Sequence, residues 1–452
     1  MQGRKVTLFL VIILVISVVP ITQIGINSAE TITTSVKWSG IKEIDDDIII
    51  KSGAQLTIED GTTVKINADI SISVEGSLII EGTGLDGVKL ISNISQQSEL
   101  GSKSSWEGIQ IQNTGVAEIS GMSLNGSRNA IYTGAGATLD IQDSILYESI
   151  QGIVNFGTAT INDVSCLEIQ NSCIVNEGAI SVNGFTSNNS GQLLKHNNSG
   201  TFTDLVSNNT GVVLEVSGGS TGTLDTINSL NSGLFLRAYG DQSGMSFSGL
   251  ESNFTTQLFD FSDSISLTID DIQGTFIESV LLANEVSLLE ISNMEIIDSE
   301  SIGLAMEISS SDSVKITDTI IDGYGQTFLF SGGGNFVLDD TIFSSNGKVG
   351  QLSSSILSID EGEWNGMSQG LHAQHSSLII ENLNISIGEN HGTALRILGG
   401  SLEITEEVNL IHEAQWSDTT SIGLQAVWSD ILGESVNIAG YSTGVSCEAT
   451  SV

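Results

Sequence analysis

The feature that most limits how this 452-residue chain can fold is a repeat of about twenty to twenty-three residues that runs through nearly all of it. The middle divides into six units: Gly108–Asn129, Ala130–Gln151, Gly152–Asn171, Ser172–Gly191, Gln192–Gly211 and Val212–Gly233. Each holds three short pieces in which apolar and polar residues alternate, separated by Gly, Asn, Asp or Ser. Alternation marks strands with one buried face, and the separators tolerate tight bends. A unit this small cannot bury its apolar face alone. Stacked on its neighbours it can, so the period predicts a quasi-one-dimensional stack.

The only proline is Pro20, inside the N-terminal apolar segment. Parallel strands stacked in register use every backbone N–H in the ladder between rungs, and proline has none to give. The formal charge is −40 at pH 7. Such a surface repels nucleic acid and anionic lipid, and favours cations, basic partners and solubility at high salt.

Residues 1–29 read as a secretory signal. Arg4 and Lys5 form a positive start, Val6 to Val19 an apolar run that Pro20 ends, and Asn27-Ser28-Ala29 a small-residue cleavage point. The run is short for a spanning helix, with an uncleaved N-terminal anchor as the alternative. Secretion or display at the cell surface follows. A membrane contact is expected only through that segment. Cys166, Cys173 and Cys447 fit no zinc spacing. The first two straddle a rung boundary and read as small core-filling residues, with a bridge as the alternative. Asn93, Asn125, Asn188, Asn197, Asn208, Asn253 and Asn384 head Asn-x-Ser/Thr sequons and are glycosylation candidates.

Residues 30–50 are expected to cap the stack, because a bare terminal rung is an exposed sheet edge. Residues 51–452 carry the rungs. They open with Ser52–Ile66, Glu75–Ser92 and Ser105–Gln112: a Gly-x-x-Leu-x-Ile run, an acidic-Gly-Thr turn, a Gly-Ser-Leu-x-Ile strand and a Trp-x-Gly-Ile-x-Ile strand. This pattern resembles the opening rungs of exported right-handed parallel β-helix proteins of the pectate-lyase-like superfamily, here of a non-enzymatic surface type. The expected fold is an all-β, right-handed parallel β-helix solenoid of about 15 to 17 rungs, with Trp106 structural. The chain stops inside what reads as a further rung, so it is expected to be part of a longer protein.

The second strand of each rung repeats apolar-x-Ile/Leu-x-Asp/Asn/Glu, as in Leu56–Asp60, Leu139–Asp143, Leu267–Asp271, Leu289–Asn293, Val314–Asp318, Phe336–Asp340, Leu378–Asn382 and Leu402–Glu406. The apolar pair faces the core, and the last polar residue sits where the chain must bend. These acids are turn residues first. Stacked carboxylates also invite a hard cation, so Ca²⁺ is the ion to test, although neither a calcium-binding nonapeptide nor an EF-hand loop is present. No other cofactor is expected.

In the first strand, the position after two apolar residues reads Asn155, Asn176, Lys195, Glu215, Arg237, Asp260. The last four alternate in sign, as a cross-strand ladder on an outer face would. The resemblance implies a second use. Pectate lyases and polygalacturonases share the fold, and Lys195, Arg237 and Asp260 are the weak catalytic candidates for such chemistry. The hydrolases' Asn-Thr-Asp, Gly-His-Gly and Arg-Ile-Lys signatures are absent, and the Asp270-Asp271 and Asp339-Asp340 pairs fall on the repeated turn. Trp364, His372, Trp416 and Trp428 lie in a stretch rich in His and Trp, where rings on a polar face would stack on sugars. Regular rungs and short loops favour a structural or adhesive rod that binds glycans or other surface proteins. The alternative is a polysaccharide lyase or glycoside hydrolase acting on acidic polysaccharide.

Overall fold

A computed structural model describes residues 29–85, 87–93, 105–297, 301–366, 368–388, 392–413 and 420–452; the proposed leader lies outside them. The described residues contain no helix, and every strand pairing is parallel, in a β-solenoid of about 18 turns. At ~4.8 Å per rung the stack is roughly 86 Å long.

The unit Gln192–Gly211 shows how one rung is made. Gln192–His196 is its first strand, and Ser199–Asn208 continues as second and third strands bent at Asp204. Asp204 takes φ 53°, a left-handed conformation that Asp and Asn reach more readily than most residues. The same bend recurs at Asp143, Asp163, Asp271, Asn293, Asp318 and Asp340, which confirms the repeated acid as a turn residue. It stops there. Asn382 and Glu406 do not adopt it; the register slips between Ile380 and Asn382 and again between Ile404 and Glu407.

Stacking in register puts like on like. One inward column runs Ile58, Ile80, Ile119, Ile141, Ile161, Val182, Phe202 and Leu224. It continues through Phe247, Ile269, Ile291, Ile316, Leu338, Ile359, Ile380 and Ile404. Columns like this form one core cluster from Ile32 to Leu424. At ~1.5–3 kcal/mol per fully buried aliphatic or aromatic side chain, apolar burial dominates what holds the rod together.

Three expectations change. Residues 30–50 do not lie across the end as a cap. Glu30–Ile32, Val36–Trp38 and Ile41–Ile44 pair in register with the next rung and are themselves a rung, because their apolar residues keep the period-two pattern. Cys166 and Cys173 are both core residues and a disulfide, with Cα atoms 6.1 Å apart. Seven residues span a third-strand end and the next first strand, and the bend between them turns both side chains inward. Asn155 and Asn176 leave the outer column. They pair with His196, while Val154 and Val175 pair with Lys195. The apolar run before the polar residue is one residue longer in the earlier rungs, and a one-residue offset exchanges the two faces.

Candidate functional site

The inward polar column is fully satisfied along its length from Asn155. Asn155 Nδ2 donates to Asn176 Oδ1 at 2.8 Å and to the Ala179 carbonyl at 3.0 Å. Asn176 Nδ2 lies 3.2 Å from His196 Nδ1 and donates to the Ser199 carbonyl at 3.1 Å. His196 Nε2 lies 3.4 Å from the Thr221 carbonyl, an arrangement that places the ring proton on Nε2. All three side chains have no exposed surface. Burial pushes the His196 pKa down to about 4 against a weaker upward pull from the Thr221 carbonyl, so the ring is neutral at pH 7.

On the outer face Lys195, Glu215, Arg237 and Asp260 do form one column. Lys195 Nζ meets Glu215 at 3.1 Å, and Arg237 Nε meets Asp260 at 3.0 Å. The Lys195 ammonium is held above its ordinary pKa, first by its hydrogen bond to Glu215. Of the weak catalytic candidates, Lys195 is thus paired with Glu215, and Arg237 and Asp260 with each other, along one strand column.

The C-terminal candidates separate. Trp364 is fully buried. Its Nε1 donates to Thr341 Oγ1 at 3.1 Å, and its ring packs on Phe328 and Phe343 at 5.6 and 5.5 Å. The alternation Gly362, Trp364, Gly366 faces it inward, so it is a core residue and leaves the glycan-binding set. Trp416 lies outside the described residues. Trp106 is structural as expected: it is buried and donates to the Asn125 carbonyl at 2.8 Å.

His372 and Trp428 remain, the first within a first strand and the second just past the end of another. His372 points outward between Gln351 and Arg396 of the adjacent rungs. Trp428 stands at the corner where the first strand ends and is 71% exposed. That corner forms a left-handed column through Ser354, His375, Gly399 and Trp428, the last at φ 51°. Tryptophan takes this conformation rarely, which makes it a site to explain. Gly399 takes φ 61° in this column, where an added Cβ would stand 3.0 Å from the exposed His375 ring.

Two features were not legible in the sequence. The first strands from Gln326–Ser331 through Lys348–Ser353, Gln369–Gln374, Thr393–Leu398 and Ile422–Val427 contain no Asp or Glu over five rungs, in a chain with 54 acids. The second is a cavity of about 290 Å³ where the acid bend gives out, lined by Asp340, Glu361, Glu363, Glu407, Asn384 and their neighbours. No three His, Cys, Asp or Glu side chains among the described residues are grouped to hold a metal ion.

Of the sequons, those at Asn125, Asn188, Asn208 and Asn253 have their hydroxyl residues Ser127, Ser190, Thr210 and Thr255 buried. Ser190 Oγ donates to the Asn188 carbonyl at 3.1 Å, and Ser127 Oγ to Ser149 Oγ at 2.9 Å. These hydroxyls close the bend after the third strand. Asn384 is exposed, and Asn197 is held by Glu177 and Ser217.

No protein-family model matches the chain, and no curated protein sequence matches it. Among solved structures it is similar to a tailspike protein of E. coli bacteriophage HK620 in complex with hexasaccharide, at 9% identity over 88% of this chain and 73% of that one, TM-score 0.23. A second is the same phage's tailspike with pentasaccharide, at 11% identity over 89% and 74%, TM-score 0.21. A third is the catalytic domain of a GH87 alpha-1,3-glucanase with nigerose, at 11% identity over 94% and 63%, TM-score 0.22. The strand register, not these overlaps, establishes the solenoid.

Proposed function

We propose that this chain is an exported cell-surface rod with a structural or adhesive role, and that it binds glycans on the outer face of its first strands near the C-terminal rungs. The observation that carries this reading is Trp428, an exposed indole held in a rare backbone conformation beside a face of amide, hydroxyl and cationic side chains. A flat ring with polar neighbours is what stacking on a sugar requires, and a ring fixed at a rigid corner loses little entropy on binding.

The test is co-sedimentation of the purified chain with a panel of neutral polysaccharides, for the natural protein and Trp428→Asn. Asparagine tolerates the left-handed corner, so the variant is expected to melt within a few degrees of the parent while retention falls. Retention unchanged by the substitution would remove Trp428 from the site. N-terminal sequencing tests export, with loss of residues before Glu30 expected.

The acid-lined cavity supports a second reading, a glycoside hydrolase, since paired carboxylates are the machinery of that reaction. New reducing ends that vanish in Glu361→Gln would establish it. Unsaturated products that vanish in Arg237→Ala would instead establish a lyase.

A further inference from the structure

Of the fourteen Lys and Arg residues, Lys37, Lys51, Lys65, Arg128, Lys195 and Arg237 meet carboxylates at 3.0 to 3.2 Å. Lys42, Lys315, Lys348 and Arg396 do not pair with any acid among the described residues, and of these Lys348 and Arg396 are the two on first strands that carry no acid. Lys348 and Arg396 stand on the acid-free face, two rungs apart, with His372 on the rung between them. Lys348 and Arg396 both act on His372: after burial, their charges are what lower its pKa. His372 Nε2 and Arg396 Nε are covered by neighbouring atoms and have no hydrogen-bond partner. Buried polar nitrogens without partners are uncommon in folded chains and call for an explanation.

Elsewhere this surface is strongly acidic, so two cations left uncompensated with an imidazole between them are a local reversal of the whole-chain field. A rung-stacked sheet also holds their spacing rigid, so little ordering is needed to engage a ligand.

We infer that Lys348, His372 and Arg396 form a subsite for an anionic group, a carboxylate or a sulfate ester, carried on a polysaccharide that also contacts Trp428. The inference rests on the glycan-binding reading and narrows its ligand. Lys348 and Arg396 supply charge-assisted hydrogen bonds, with the guanidinium able to grip two oxygens at once. The neutral His372 ring can donate to a ligand only from Nδ1, because Nε2 is covered. Beyond about a Debye length the field of the −40 rod is screened, so capture of a polyanion depends on local contact with these cations and is salt-sensitive, in contrast to a neutral glycan held by stacking alone.

The experiment titrates the whole purified chain, at low and at high salt, with a carboxylated polysaccharide (hyaluronan), a sulfated one (dextran sulfate) and neutral dextran. The natural protein is compared with Lys348→Gln, Arg396→Gln and the double variant. Binding of hyaluronan or dextran sulfate is expected, with each single substitution weakening it roughly tenfold, and high salt weakening it further. Whichever polymer binds identifies the charged group. Both side chains point outward, so an unchanged circular dichroism melt establishes that the variants fold. If they unfold, charge-conserving Arg396→Lys with partial retention of binding serves in their place.

No binding of either anionic polymer at low salt, or binding indifferent to the double variant, overturns the inference. So does a concentration-dependent rise in sedimentation coefficient that the double variant abolishes without any ligand, which would assign the strip to a second copy of the chain. Should binding to neutral polysaccharide that depends on Trp428 survive while both anionic arms fail, the anion subsite falls and the broader glycan reading stands.

Discussion

His196 shows how one residue's environment sets its chemistry. Its neutral ring is the end of a buried amide ladder, and protonating it there means charging a group with no access to water. The unfolded chain protonates near pH 6.5 and the folded chain near 4. Between those values the unfolded state binds more protons, so stability falls as pH drops from 6.5 to 4, by roughly 3 kcal/mol in total from this group. His196→Asn extends the ladder with an uncharged amide. Urea denaturation at pH 7, 5.5 and 4 is expected to show that this loss is much smaller in the variant than in the parent. On the opposite face Arg237 lies between Glu215 and Asp260. Arg237→Glu would line up three acids and is expected to lower stability by about 1 kcal/mol, an effect that shrinks in high salt. No loss in thermal melts at low salt would contradict the charge ladder.

At the scale of the strand, the parallel register makes each side chain a neighbour of its counterpart on the next rung, so size must be matched column by column. Phe328 and Gly350 are such counterparts. A Cβ on Gly350 would stand 2.0 Å from the Phe328 ring, so the aromatic ring occupies the space that the glycine leaves. Gly350→Ala is expected to destabilise the protein by about 1–3 kcal/mol through overpacking, and Gly350→Ala with Phe328→Leu to recover part of that loss in the same melt. The bend columns obey a similar rule. Asp143, Asp163, Asp204 and Asp271 can be read from sequence because Asp is at home in a left-handed bend. Phe254 and Phe276 after third strands, and His375 and Trp428 after first strands, occupy the rung's other bends with φ from 50° to 55°, and no propensity anticipates them.

For the molecule as a whole, each rung touches only its neighbours, so length is modular. Ser172, Gln192 and Val212 are stacked counterparts. Deleting the whole rung Gln192–Gly211 therefore leaves every later column aligned. This deletion is expected to retain β circular dichroism and a cooperative melt. Deleting only Gln192–Thr201 leaves a half rung, sets first strands against second strands, and is expected to abolish that melt. Equal behaviour of the two deletions would refute the stacked-rung architecture.

Sequence alone determined the architecture, because a parallel solenoid writes its rung length into the chain as a period, its core into alternation, and its sharp bends into Asp, Asn and Gly. It also located the charge column from Lys195 to Asp260, whose members sit one rung apart. Only the tertiary structure decided which face each residue takes where rungs differ by a single residue. That difference sent Asn155 and Asn176 inward to His196, placed Trp364 in the core, and closed Cys166 on Cys173. It also decided the acid-free face and the isolation of Lys348, His372 and Arg396. The physical reason is that successive members of this set, 24 positions apart in the chain, lie on adjacent rungs, and what a side chain lacks for a partner is a property of its neighbours in the stack.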